Sequence, residues 1–75
     1  MRNIMHLVPA YGRQYQSTET MEKDFADGKD FKILAGDVRG TYASIRDLER
    51  LKRAGFEEVH VYTDIHLNLR KVYVL

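Results

Sequence analysis

Two stretches decide how this chain folds: Glu58-Val59-His60-Val61-Tyr62-Thr63 and Arg70-Lys71-Val72-Tyr73-Val74. Each alternates with period two, the spacing of a strand with two distinct faces, so together they predict a β-hairpin. Pairing Val61 with Val72 and Val59 with Val74 gathers four valines on the core face and leaves a four-residue loop, Ile65 to Asn68. The same register sets Tyr62 against Lys71 and His60 against Tyr73 on the other face. A slip of one residue would put Val61 opposite Lys71, so a well-specified register is expected.

Upstream of the hairpin, Ser44 and Asp47 form a capping box at the start of a helix. Ile45, Leu48 and Leu51 supply its buried face, Ala54 extends it and Gly55 ends it. Lys52 and Arg53 lie near its C-terminus, where the helix dipole favours positive charge. The stretch Ala35 to Ala43 shows no sustained period, and Phe31 to Leu34 reads as a short strand. Another helix starts at the N-cap candidates Ser17 and Thr18, with Glu19 in its first turn. It buries Met21 and Phe25 at i, i+4 and stops at Gly28. Asn3 to Val8 is a strand ending at Pro9, apolar on both faces and so suited to the sheet interior. The loop Pro9 to Gln16 joins it to the helix. The order strand, helix, strand, helix, strand, strand predicts a single α+β domain over residues 1–75. Its expected form is a mixed four-stranded sheet with both helices on one face.

The composition narrows the function. Leu, Ile, Val and Phe make up 20 of 75 residues, enough for a small core. Twelve basic against eleven acidic groups give a net charge of +1, so bulk charge will not hold the chain on nucleic acid. Without cysteine there is no disulfide framework, zinc ribbon or thiol chemistry. No apolar run approaches a membrane span and no secretory h-region is present, so no membrane association is expected.

Chemistry-bearing motifs are weak. His6, His60 and His66 make no i, i+4 zinc pair; Asp64 and His66 flank a turn and read as hairpin-loop polar groups rather than metal ligands. Ser17 and Ser44 read as helix caps rather than nucleophiles. Gly36-Asp37-Val38-Arg39-Gly40-Thr41 lies between a strand and a helix but lacks the Gly-Lys-Ser/Thr of a phosphate loop. No cofactor, no metal and no enzymatic activity are therefore expected. The stronger signal is basic and aromatic. Arg46, Arg50 and Arg53 form one helical stripe, read first as a solvated face. Tyr62, Lys71 and Tyr73, with His60, gather on one predicted sheet face. Such surfaces serve protein interfaces, where Tyr and Arg are common anchors. They also serve single-stranded nucleic acid, through phosphate attraction and base stacking.

Tyr11-Gly12-Arg13-Gln14-Tyr15-Gln16-Ser17, Phe25-Ala26-Asp27-Gly28-Lys29-Asp30-Phe31 and Leu69-Arg70-Lys71-Val72 together resemble a family. It consists of small proteins encoded by tailed bacteriophages and prophages, with the pattern Y-G-R-D-Y-x-S, a K-D-F segment and a closing L-x-K-V-x-V strand. Gln14 stands where that pattern has an acid. The resemblance implies a phage origin and a site in the cytoplasm of an infected bacterium. It also implies an accessory role, inhibiting or redirecting a host complex such as a CRISPR or other defence system. The expectation is a non-enzymatic protein that binds a bacterial protein complex through Tyr11, Arg13, Tyr15, Tyr62, Lys71 and Tyr73. The alternative is a weak single-stranded nucleic-acid module using Arg46, Arg50, Arg53, Lys71 and the tyrosines. Because the apolar alternation still runs at Leu75, the last strand is also expected to self-associate as a homodimer.

Overall fold

The computed structural model describes residues 2–34 and 41–75, and in it both helices start and stop at their local signals. The first helix, α1 (Thr18–Ala26), is capped by Ser17, whose hydroxyl accepts the Thr20 N–H at 3.3 Å. Its C-terminus closes at Gly28, which takes a φ of +88° that side chains resist. There Lys29 N–H donates to Asp24 O and Gly28 N–H to Phe25 O, each at 3.1 Å, which satisfies two end carbonyls. The second helical segment begins as a 3-10 turn, Ile45–Asp47, and continues as α2 (Leu48–Arg53). The Asp47 carboxylate accepts the Ser44 N–H at 2.7 Å, as the capping-box pattern requires.

The sheet has five strands rather than the four expected. They are β1 (Ile4–Pro9), β2 (Phe31–Ile33), β3 (Tyr42–Ala43), β4 (Glu58–Tyr62) and β5 (Arg70–Val74), in the spatial order β3-β2-β1-β4-β5. The additional strand, β3, pairs with β2 through Phe31↔Ala43 and Lys32↔Tyr42. Two residues are too few to show a period, which is why the stretch looked irregular. The neighbouring phosphate-loop segment, 36–40, lies outside the described residues. As expected for an inner strand, β1 is central, antiparallel to β2 and parallel to β4.

Alternation sorts the strand side chains onto two faces. Met5, Leu7, Phe31, Ile33, Val59 and Val61 point to one face and pack with Met21 and Phe25 of α1 and Leu51 of α2 in a single core. Both helices therefore cover the same face, as expected.

The hairpin register is one residue off the valine-matched one. Val59 faces Tyr73, Val61 faces Lys71, and His60 faces Val72. Three features explain it. The Tyr73 ring fills the space beside Phe25, centroids 5.2 Å apart, and buries more area than a valine would. The Lys71 stem runs along α1 and brings its ammonium 3.8 Å from Glu22. The connection also spans seven residues, Thr63 to Leu69, rather than four, and its ends are tied by Thr63 N–H to Leu69 O at 2.9 Å. Asp64 organises that loop: its carboxylate accepts the backbone N–H of His66 and of Asn68, and the Asn68 side-chain amide at 2.7 Å. Lys71 and Tyr73 consequently lie on the helix side, away from His60 and Tyr62.

Candidate functional site

Two groups of side chains stand out; the Tyr42 ring of the first and the whole of the second lie on the sheet face away from the helices. The first grows from the turn after β1. Arg13 N–H donates to Ala10 O at 3.2 Å, and the two residues between, Tyr11 and Gly12, have φ of 59° and 72°. Two consecutive positive φ values are the signature of a type I′ turn, which usually takes Asn-Gly. A tyrosine at its first central position meets a steric cost of about 1–2 kcal/mol. Tyr11 is 76% exposed, and its ring stacks on that of Tyr42, also exposed, with centroids 5.4 Å apart and planes 14° apart. The remainder of the loop turns inward. Arg13 lies over the Phe31 ring at 5.0 Å and donates to the carbonyls of Ala10 and Asp30. Tyr15 stacks on Phe31 and donates its hydroxyl to Asp24 at 2.7 Å. Burial first, then the Asp24 bond, pushes the Tyr15 phenol up to about 12. Of Tyr11, Arg13 and Tyr15, only Tyr11 is exposed; the other two are half-buried.

The second group joins β1 to β4. Their parallel pairing sets His6 beside His60, rings edge to face at 5.3 Å. His6 Nδ1 and the Tyr62 hydroxyl share a hydrogen bond at 2.8 Å. His60 Nε2–H donates to Glu58 Oε1 at 2.8 Å, and Arg2 donates to Glu58 Oε2 at 2.7 Å. Burial, then His60 and Arg70, lower the His6 pKa and so favour its neutral form. The bond from His60, aided by Arg2, holds the Glu58 carboxyl below its ordinary value. The result is a hydrogen-bonded seam across two strands. His60 is 8% exposed and Tyr62 5% exposed, so neither offers a substrate much access. The seam was invisible in the sequence because His6 and Tyr62 are 56 residues apart and meet only through the parallel pairing.

The other expected site residues scatter. Tyr62 lies in this seam, while Tyr73 and Lys71 project to the helix side. The Tyr73 hydroxyl is buried with no hydrogen-bond partner among the described residues. Arg46, Arg50 and Arg53 are each exposed, but Arg50 pairs with Asp47 at 2.7 Å and Arg53 with Glu49 at 3.5 Å. Arg46 lies against Gly28. Asp64 is engaged by Asn68 and the loop backbone, which holds its carboxyl below the ordinary value. Among the described residues, no three His, Asp or Glu side chains converge as metal ligands, and no helix is long and apolar enough to cross a membrane.

Comparison with protein-family models, curated proteins and solved structures found no match to this chain.

Proposed function

We propose that this chain is a non-enzymatic binding module that docks on a protein partner through the Tyr11–Tyr42 pair. The observation that supports it is the cost and exposure of Tyr11. A tyrosine in a left-handed turn position that Asn or Gly would occupy more cheaply, with its ring in solvent, is poorly accounted for by stability alone. Stacking on Tyr42 returns about 0.5–1.5 kcal/mol, and the rigid aromatic pair that results is the kind of surface that anchors interfaces. Following the resemblance to phage proteins, the partner is a bacterial host complex and the setting the infected cell's cytoplasm.

Single-stranded nucleic acid is the competing partner, supported by the exposure of Arg46, Arg50 and Arg53. Two of the three are already ion-paired. They also sit on the helix side of the sheet, whereas Tyr42 lies on the other face. Affinity for an oligonucleotide at physiological salt is expected to be no tighter than roughly micromolar and to weaken steeply as salt rises.

The test is capture from bacterial lysate, with and without nuclease treatment, by wild type, Tyr11→Asn and Arg50→Ala. The proposal expects a stoichiometric protein retained by wild type and Arg50→Ala and lost with Tyr11→Asn, while the Tyr11→Asn domain stays folded. Capture that survives Tyr11→Asn, or that vanishes on nuclease treatment, would overturn it.

A further inference from the structure

The outer strand β5 carries a row of backbone groups directed away from the sheet. Its ladder with β4 is bracketed by two hydrogen bonds, Thr63 N–H to Leu69 O at 2.9 Å and Leu75 N–H to Glu57 O at 3.0 Å. Facing residues in an antiparallel ladder alternate between pairs that exchange hydrogen bonds and pairs that do not. Between those brackets, Lys71 and Tyr73 are the β5 residues bonded to β4. The N–H and C=O groups of Arg70, Val72 and Val74 therefore point outward. The side chains of the same three residues lie on the sheet face away from the helices, with Val74 79% exposed.

We infer that two copies of this chain associate about a two-fold axis, β5 against β5 antiparallel, with Val72 opposite Val72 of the second copy. That register matches the outward set to itself. Arg70 meets Val74 of the other copy, Val74 meets its Arg70, and every outward donor and acceptor of the three residues finds a partner. It also keeps like charges apart, because Lys71 falls opposite Tyr73 of the second copy. A two-fold axis through Lys71 would oppose two lysines and set Val74 against Asn68 of the loop, outside the strand. The central pairing brings the Val72 side chains together and shields Val74, removing apolar surface from water.

The edge is only lightly defended. It holds no proline, and its inward-facing lysine is drawn toward Glu22 on α1, leaving Arg70 as its outward charge. At the opposite edge β3 has only two residues, too short to receive β5, so the pairing closes as a dimer instead of propagating as a fibre. This inference is independent of the Tyr11–Tyr42 reading, since that pair stands at the far side of the sheet.

Light scattering coupled to size exclusion tests it first: wild type at high micromolar concentration should show about twice the 8.8 kDa chain mass, and a monomer would overturn the proposal. Val72→Lys and Val72→Glu should each weaken self-association by about tenfold or more through like-charge opposition at the axis. Mixing the two should restore a heterodimer. A dimer that persists in both variants alone would place the interface elsewhere. If either variant fails to fold by circular dichroism, hydrogen exchange on wild type decides. Slow exchange of the Arg70, Val72 and Val74 amides supports the paired edge. Exchange as fast as that of the loop amides, or protection only after a different protein is added, overturns it.

Discussion

The two faces of the central strands are buried by different chemistry. On the helix side, Met5, Leu7, Val59 and Val61 sit under Met21, Phe25 and Leu51 in an apolar core. On the other side, the same two strands carry His6, His60, Glu58 and Tyr62, joined by hydrogen bonds and reaching Arg2. The first face gains its stability from area removed from water, a term that is large and not directional. The second gains specificity. Polar groups there are tolerated because each finds a partner, and the net contribution of each bond is only about 1 kcal/mol. A chain of 75 residues has too little apolar surface for two full cores. This one assembles a single apolar core and seals the second face with a polar seam.

Removing a keystone of the first face should have the largest effect. Phe25 is fully buried, with ring centroids 5.5 Å from Phe31 and 5.2 Å from Tyr73. Phe25→Ala should destabilise by about 3–5 kcal/mol, enough to leave so small a domain largely unfolded at room temperature. Urea denaturation followed by circular dichroism measures it. A loss below about 1 kcal/mol would mean the helix-covered face is not the main source of stability.

The same contrast governs what could be read from the sequence. The helices were legible because their signals are local: Ser17 and Gly28 bracket the first, and Ser44, Asp47 and Gly55 bracket the second. The parity of β4 was legible too, since Val59 and Val61 do share the core face; that of β5 was not, since Val72 and Val74 lie on the opposite face. Register was not, because matching valine with valine competes with burying Tyr73, and only the position of Phe25 decides between them. Strand β3 is too short to announce itself. The polar seam depends on β1 lying parallel to β4, a non-local choice that neither segment encodes by itself. For the candidate site, the Pro9–Gln16 loop was recognisable by its turn residues. Which of Tyr11, Arg13 and Tyr15 faces outward depended on Phe31, which claims both Arg13 and Tyr15.

A sharper test uses two tyrosines of neighbouring strands that point to opposite faces. The Tyr62 hydroxyl bonds His6, whereas the Tyr73 hydroxyl is buried without a partner among the described residues. Tyr62→Phe should cost about 1–2 kcal/mol, because it leaves the half-buried His6 Nδ1 without its partner. Tyr73→Phe keeps the ring against Phe25 and removes an unsatisfied hydroxyl, so it should be neutral or stabilise by up to about 1 kcal/mol. Thermal denaturation of both variants checks the pair. Equal losses would show that the seam's hydrogen bond has no more value than an isolated hydroxyl in the apolar core.

The smallest effect is a difference in pH dependence, and it separates the two faces without altering the core. The His6 pKa is lowered in the folded protein, chiefly by burial and then by His60 and Arg70. Between the lowered value and the ordinary 6.5, the unfolded chain binds a proton that the folded chain refuses. The contribution of His6 is therefore fully present above 6.5 and declines as pH falls toward the folded value. The hydrogen bond to Tyr62 need not break, since the hydroxyl can turn to accept from a protonated Nδ1. The cost lies in placing a cation at a half-buried position beside His60 and Arg70. Glu58 acts in the same direction at lower pH, since its contribution is present above 4.5 and lost as pH falls through its depressed value. Melting temperatures between about pH 7.5 and about pH 5.5 thus isolate the histidine part of the seam. His6→Asn removes the titrating group and leaves a polar atom near the Nδ1 position. The wild type should lose more stability than this variant over that interval, and Phe25→Leu, a change confined to the apolar face, should leave the wild-type slope intact. If His6→Asn and wild type fall in parallel, His6 does not carry the seam's acid sensitivity, and its burial beside His60 has no consequence for folding.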